Sequence, residues 1–136
     1  MTTDDDFRQR TERLREAYRA FNAKDAEGVL RLMTPDVHWP RAFKGGFVVG
    51  TDAVRDYWTE QWREIDGQVE PIALARDGDA AIVCSVQLVV RDLQTGTVQL
   101  EQTVGHRYTF DGDRIARMEL VDPLGPASSA AADRPS

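Results

Sequence analysis

LEQTVGHRYTF, spanning Leu100–Phe110, is the stretch of the chain that decides the fold. Because side chains alternate between the two faces of a strand, one face carries apolar residues together with Gln102 and His106. The other face is polar or small and is expected to meet water. A strand of this kind packs its apolar face on a core. The single imidazole on that face is either a satisfied core histidine or a polar group placed to meet a ligand.

Strand patterns also flank this stretch on both sides. Tight glycine-containing turns separate the segments, so their order predicts a four-stranded antiparallel meander. The predicted strands are Val69–Ala75, Ala81–Arg91, Thr97–Phe110 and Arg114–Val121. If Asp111-Gly112-Asp113 forms the last turn, His106 faces Met118 across the final hairpin.

The N-terminal half has helical periodicity instead. The predicted helices are a long one over about Asp5–Ala23, a short one that Asp25 caps and Thr34-Pro35 ends, and a third that Thr51 or Asp52 caps and that reaches Ile65. A short hairpin of Val37–Trp39 and Phe47–Val49 lies between the second and third helices. Helices followed by a meander predict an α+β fold with the helices on one face of the sheet.

Length and composition indicate one globular domain. The chain has 136 residues, of which 41% are hydrophobic. This size is ordinary for a single domain with its own core. We expect that domain to cover residues 1–122. Residues 123–136 are rich in Ala, Ser and Pro without periodicity, which predicts a disordered tail.

Charge and cysteine content restrict the class of protein. The formal net charge is -6, which disfavours nucleic acid and anionic membranes as partners. No apolar run is long enough to span a bilayer. The one cysteine, Cys84, cannot form a disulfide within the monomer, and no signal peptide is expected at the N-terminus. These features predict a cytoplasmic location.

Four short motifs follow one another in order between residues 7 and 122. They are the helix end Phe21-Asn22-Ala23-Lys24-Asp25, the strand start Pro35-Asp36-Val37-His38-Trp39, the helix start Gly50-Thr51-Asp52-Ala53-Val54 with Tyr57-Trp58, and the final hairpin Phe110–Ile115. In this order they resemble the nuclear-transport-factor-2-like (NTF2-like) superfamily, especially its bacterial SnoaL-like branch. The resemblance implies a cone-shaped, curved antiparallel sheet wrapped around three N-terminal helices, the NTF2-like or cystatin-like roll, with a deep cavity between them. It also implies a homodimer through the outer face of the sheet.

The resemblance extends residue by residue to catalytic positions. In the ketosteroid isomerases of this superfamily, an aspartate base falls at Arg41 here and a second hydrogen-bond donor falls at His106. Their tyrosine donor falls at Ala17, one residue before Tyr18. An arginine keeps its proton at neutral pH and cannot act as the base. Steroid isomerase activity is therefore not expected.

The SnoaL-like polyketide cyclases resemble this chain better at one position. They carry a histidine that matches His106, whereas their acid/base aspartate falls at Leu120. The nearest carboxylate on that strand face is Asp122. The predicted register displaces Asp122 from His106 by four residues, roughly 13 Å along the strand. A direct pair between these two side chains would need a bulge or a different register.

Two hypotheses about function stay open. In the first, the chain is an enzyme of isomerase, cyclase or dehydratase type that transfers protons on a small carbonyl or polyketide-like compound. His106 would act as acid/base or oxyanion donor, and Arg41 as an anion clamp. In the second, the chain binds a small apolar or aromatic ligand without chemistry. A carboxylate within hydrogen-bond reach of His106 would favour the enzyme.

Aromatic and polar residues on the predicted inner surfaces are the candidate ligand contacts. They are Trp39, Tyr18, Trp58, Gln102, Tyr108, Met118, Leu120 and Asp122. The sequence has neither a metal-ligand spacing nor a glycine-rich phosphate loop, so we expect neither a metal nor a cofactor.

Overall fold

The computed structural model of the chain describes residues 3–41, 45–78 and 81–124. Two helices, a strand hairpin and a third helix form the first half, and strands alone follow. In chain order the elements are α1 (Thr3–Asn22), α2 (Ala26–Leu30), β1 (Met33–Pro40), β2 (Phe47–Val49), α3 (Thr51–Trp62), β3 (Ile65–Asp77), β4 (Ala81–Asp92), β5 (Val98–Asp111) and β6 (Arg114–Val121). Among the described residues, no helix has the length and apolar character that a bilayer crossing requires.

The six strands form one curved, unclosed sheet in the order β2-β1-β6-β5-β4-β3. The α+β fold with a curved sheet around N-terminal helices is therefore confirmed. The sheet is mixed, however, because β1 runs parallel to β6 and pairs Met33 with Ile115. The Ile115 N–H donates to the Leu32 carbonyl at 2.9 Å, just before β1 begins. The parallel pairing of β1 with β6 thus joins the hairpin of β1 and β2 to the predicted antiparallel meander.

Helix α1 lies on the inner face of the sheet. Its stripe of Leu14, Ala17 and Tyr18 is buried in the core that helices and sheet share. At its C-terminal end, Asn22 bonds the edge strand β3 twice: its Nδ2 donates to the Val69 carbonyl and its Oδ1 accepts from the Val69 N–H, each at 2.8 Å. Asn22 thereby satisfies backbone groups that an edge strand would leave unpaired.

The predicted ends of two helices differ from the structure. The short helix α2 is N-capped by Asp25 as predicted, since the Gly28 N–H donates to Asp25 Oδ1 at 3.0 Å. It ends at Leu30, however, so Thr34-Pro35 lies inside β1 and does not terminate the helix. Ile65 begins β3 instead of ending α3.

Helix α3 begins without a side-chain cap. Its N-cap is Gly50, with φ of 95°, and no side chain bonds the first free N–H groups. A residue at this φ is strained unless it is glycine. The prediction of Thr51 or Asp52 as the cap is therefore wrong.

The last hairpin has a register two residues away from the predicted one. Asp111 pairs with Arg114, which leaves a two-residue loop instead of a three-residue turn. A bulge between Thr109 and Phe110 adds the second residue of shift. His106 consequently faces Leu120, and the predicted His106–Met118 pair does not form.

The chain after β6 crosses the outer face of the sheet. The Leu124 N–H donates to Ser85 Oγ on β4 at 2.7 Å. To reach it, the backbone of Val121 and Asp122 passes directly over Gly105 on β5, where a Cβ atom would lie 2.5 Å from the Asp122 carbonyl oxygen. Described structure thus continues beyond residue 122. Residues 125–136 of the predicted disordered tail lie outside the described residues, as does Asp79 of the predicted β3–β4 turn.

Candidate functional site

A cavity of about 140 Å³ lies between the helices and the inner face of the sheet. Its aromatic walls are Phe21 from α1, Trp39 from β1, and Tyr57 and Trp58 from α3. Its other polar lining side chains are Gln61, Gln102 and His106, and the rest of the lining is aliphatic or backbone. Among the described residues, no Asp, Glu, Lys or Arg side chain lines it. Such a space favours a flat, uncharged ligand.

The aromatic wall is built by rings that pack on one another. The Trp39 and Trp58 rings meet edge to face with centroids 5.3 Å apart, and Phe21 meets Trp58 in the same way at 5.5 Å. Trp62 stacks on Trp58 at 5.7 Å. Because Trp58 is only 1% exposed and touches all three, its rotamer is fixed by packing. The wall is therefore preformed.

His106 occupies the innermost polar position. It extends from β5 and is 9% exposed. Its Nδ1 lies 3.0 Å from the Tyr18 hydroxyl oxygen, and the Tyr108 hydroxyl donates to that same oxygen at 2.8 Å. The other ring nitrogen, Nε2, has no hydrogen-bond partner among the residues that the structure describes.

Burial keeps every group of this cluster uncharged at neutral pH. Loss of hydration lowers the pKa of His106 from 6.5 to about 4. Desolvation, reinforced by Tyr108 and Cys84, raises the pKa of Tyr18 well above its usual value, and desolvation does the same for the pKa of Tyr108. Burial also raises the pKa of the Cys84 thiol to about 12, although its hydrogen bond with Tyr18 opposes the change. His106 is therefore a neutral imidazole.

The cavity continues in two directions. Inward, a recess of about 40 Å³ is lined by Tyr18, Tyr108 and His106 among others. Outward, it shares Tyr57 and Gln61 with an open groove of about 310 Å³ at the C-terminal end of α3. The cavity thus lies between a surface groove on one side and the recess beside the imidazole on the other.

The structure brings most of the predicted site residues together. The ones that line the cavity or its inner recess are Trp39, Trp58, Gln102, His106, Met118, Leu120, Tyr18 and Tyr108. Tyr18 reaches the site although the resemblance placed the tyrosine donor at Ala17.

Two predicted site residues lie elsewhere. Arg41 directly follows β1, and its Nε donates to the Gly45 carbonyl at 2.9 Å. Asp122 is exposed and lines a depression on the outer face of the sheet beside Arg107. Neither is among the side chains that line the cavity. Within the described part of the chain, no carboxylate therefore stands near His106 in the cavity lining.

Sequence reasoning missed Gln61 as a lining residue. It lies three and four positions after Trp58 and Tyr57 on α3, so its side chain shares their helical face. This spacing after two predicted aromatic residues could have identified Gln61 as a lining residue. Among the described residues, no group of three or more His, Cys, Asp or Glu side chains could hold a metal ion.

Comparison with known proteins identifies the family. The model of the SnoaL-like domain family matches residues 14–118, which is most of the chain, so the protein belongs to this family. The family lies within the NTF2-like superfamily. No curated protein matches the chain in sequence.

Solved structures share the fold. An NTF2-like protein of unknown function from Burkholderia pseudomallei is 25% identical, with a TM-score of 0.72 over 84% of this chain and 90% of that one. A candidate polyketide cyclase from Xanthomonas campestris is 16% identical, with a TM-score of 0.74 over 83% and 89%. Rv0760c from Mycobacterium tuberculosis, solved in complex with estradiol-17beta-hemisuccinate, is 18% identical, with a TM-score of 0.71 over 85% and 95%.

Proposed function

We propose that this protein binds a small, uncharged, largely apolar ring compound, with His106 as its innermost polar contact. The observation that carries the proposal is a neutral imidazole at the end of an aromatic cavity whose described lining holds no charged side chain. A charged ligand would lose its hydration there without a counter-ion. The estradiol ester bound by Rv0760c, a protein of the same fold, supports ring compounds as the class to test.

Proton-transfer catalysis on a carbonyl or polyketide-like compound is the second candidate. The hydrogen bond between Tyr18 and His106 favours it, because a phenol behind an imidazole can help move a proton. The shared fold with a candidate polyketide cyclase supports the same reaction class. Against it stand the absence of a carboxylate from the described cavity lining and the low basicity of a histidine with a pKa of about 4. Binding without chemistry is therefore the better-supported function.

The binding proposal is tested by thermal shift with a panel of uncharged ring compounds. We expect some of them to raise the melting temperature of the wild type, and His106→Ala to reduce or abolish those shifts. His38→Ala is the matched control, because His38 lies on β1 outside the cavity lining and bonds its own strand's Asp36 carbonyl. Equal shifts in wild type and His106→Ala would remove His106 from the site.

Hydrogen exchange in deuterated water distinguishes binding without chemistry from proton-transfer catalysis. A cavity that only binds should leave the α-hydrogens of an enolisable ring ketone exchanging at the buffer rate. Exchange accelerated by wild type and lost in His106→Ala would favour the enzyme.

The homodimer through the outer sheet face and the cytoplasmic location are further parts of this proposal.

A further inference from the structure

Three buried polar atoms form a line that ends at the cavity. The Tyr108 hydroxyl donates to Tyr18 Oη at 2.8 Å, and Tyr18 Oη lies 3.0 Å from His106 Nδ1. Tyr108 is 2% exposed and Tyr18 is 5% exposed. Since water does not reach these hydroxyls freely, their protons must be shared within the line.

The number of protons available determines the direction of the hydrogen bonds along this line. Each phenol has one proton to donate. Tyr108 gives its proton to Tyr18, so the proton of Tyr18 is directed elsewhere, and Nδ1 of His106 is the strong acceptor within reach. The Cys84 thiol beside Tyr18 is only a weak acceptor.

The opposite arrangement leaves a buried donor unpaired or with only a weak acceptor. If Nδ1 carried the proton and donated it to Tyr18, the Tyr18 proton would turn toward Tyr108, whose own proton would then have no acceptor among the described residues, or toward the Cys84 thiol, which accepts only weakly. A buried donor without a partner is strongly disfavoured. Nδ1 is therefore the acceptor, and Nε2 carries the imidazole proton.

We propose that Tyr18, which accepts a hydrogen bond from Tyr108, is a positioning residue that holds neutral His106 in the Nε2–H tautomer. The inner end of the cavity then presents a hydrogen-bond donor, and it selects ring compounds with an acceptor oxygen, such as a ketone or quinone carbonyl. Compounds that offer only an N–H or O–H donor at this point are rejected, because two donors would face each other without water. The ligand class rests on the proposed binding function, whereas the tautomer does not.

The tautomer is read directly by NMR of ¹⁵N-histidine-labelled protein at neutral pH. The protonated and unprotonated nitrogens of a neutral imidazole resonate in separate ranges. We expect His106 Nε2 in the protonated range and Nδ1 in the unprotonated range. The His38 ring, which lies outside the cavity lining, is the internal reference in the same spectrum. A protonated Nδ1 in the wild type would overturn the proposal.

Two phenylalanine variants separate positioning from simple packing. Tyr18→Phe removes the donor to Nδ1, and we expect the two nitrogen shifts of His106 to move toward each other as the tautomers mix. Tyr108→Phe removes a neighbouring hydroxyl of the same kind but leaves the Tyr18 proton on Nδ1, so the shifts should stay close to those of the wild type. If Tyr18→Phe folds and leaves the shifts unchanged, Tyr18 does not set the tautomer.

Three bicyclic probes of similar shape test the ligand class. Indanone offers only an acceptor oxygen, indole only an N–H donor, and indane neither. We expect the wild type to bind indanone at least about fivefold more tightly than indole, which corresponds to one mismatched hydrogen bond. In Tyr18→Phe this ratio should approach one.

The outcomes distinguish the two levels of the proposal. Indole binding as tightly as indanone in the wild type would overturn the acceptor selection. No binding of any probe would count against the proposed binding function, and the ¹⁵N shifts would still decide the tautomer.

Discussion

His106 links the candidate site to the stability of the molecule. Its pKa is lowered from 6.5 to about 4 by desolvation, so between these two pH values the unfolded chain binds a proton that the folded chain does not. The free energy of unfolding therefore rises with pH across this window. The contribution is complete above pH 6.5, is lost as the pH falls toward 4, and amounts to roughly 3 kcal/mol.

We predict that His106→Gln removes this pH dependence. Urea unfolding of wild type and variant at several pH values between 4 and 7 measures it. The wild type should lose more stability than the variant as the pH falls, and the difference between the two curves isolates His106 from the carboxylates. Asp66 and Asp113, whose pKa values Lys24 and Arg13 lower, destabilise both proteins alike in acid. Parallel curves would show that His106 is not a buried neutral imidazole.

For single residues, the sequence predicted the position of the His106 imidazole better than the positions of its partners. The alternation along β5 placed His106 on the inner face, and the structure agrees. Counting positions along the family pattern assigned a role to Arg41, whose side chain is instead held by the Gly45 carbonyl. Counting along the family pattern also placed the tyrosine donor at Ala17 instead of Tyr18. Which of two successive helix residues faces the site depends on how the helix packs on the neighbouring strands, and the sequence alone does not show that packing.

Between elements, the segment after β6 packs closely on Gly105. A Cβ atom at Gly105 would lie 2.5 Å from the Asp122 carbonyl oxygen and 2.6 Å from that of Val121. Both contacts are with backbone, which cannot rotate away as a side chain can. Glycine is therefore required at Gly105 by space and not by an unusual φ.

We predict that Gly105→Ala lowers the free energy of unfolding by about 3 kcal/mol through this overlap. Gly67→Ala is the matched control, since Gly67 is also a strand glycine but a Cβ atom added there would meet nothing within 4 Å. That variant should be neutral or gain about 0.5 kcal/mol from the reduced freedom of the unfolded chain. Denaturant unfolding of both variants measures the contrast, and similar losses would mean that the crossing segment does not pack on Gly105.

Element types were predictable from periodicity, whereas the register of the last hairpin was not. The turn at Gly112 was recognisable, but its length differs by one residue and the bulge at Thr109 adds another. A bulge arises from the way in which two strands fit the curvature of the sheet. No residue in either strand predicts it. That shift decides that Leu120 and not Met118 stands opposite His106.

For the molecule as a whole, the outer face of the sheet is divided into two regions. Residues 122–124 cross one part of it, near Ser85 and Gly105. The part around Val89 and Glu101, which pair on β4 and β5, lies on the face opposite the cavity. If the proposed homodimer forms through this face, the second region is the one open to a partner.

We predict that Val89→Arg converts a dimer into a monomer, because it adds a charge to a half-buried apolar position of that region. Light scattering after size exclusion measures the mass at fixed concentration. Thr59→Arg adds the same charge at an exposed position on α3 and should leave the mass unchanged. A monomeric wild type, or a Val89→Arg variant that stays dimeric, would contradict an interface through this region.

The parallel pairing of β1 with β6 has a consequence for how the protein is made. The cavity is bounded by Trp39 on β1 and by Met118 and Leu120 on β6, which are separated by most of the sequence. Until β6 has been synthesised, β1 therefore lacks its parallel partner, and the part of the cavity wall that β6 supplies is missing. The cavity can be completed only after β6 has left the exit tunnel, so a nascent chain that still lacks this strand cannot form the site that we propose for the ligand.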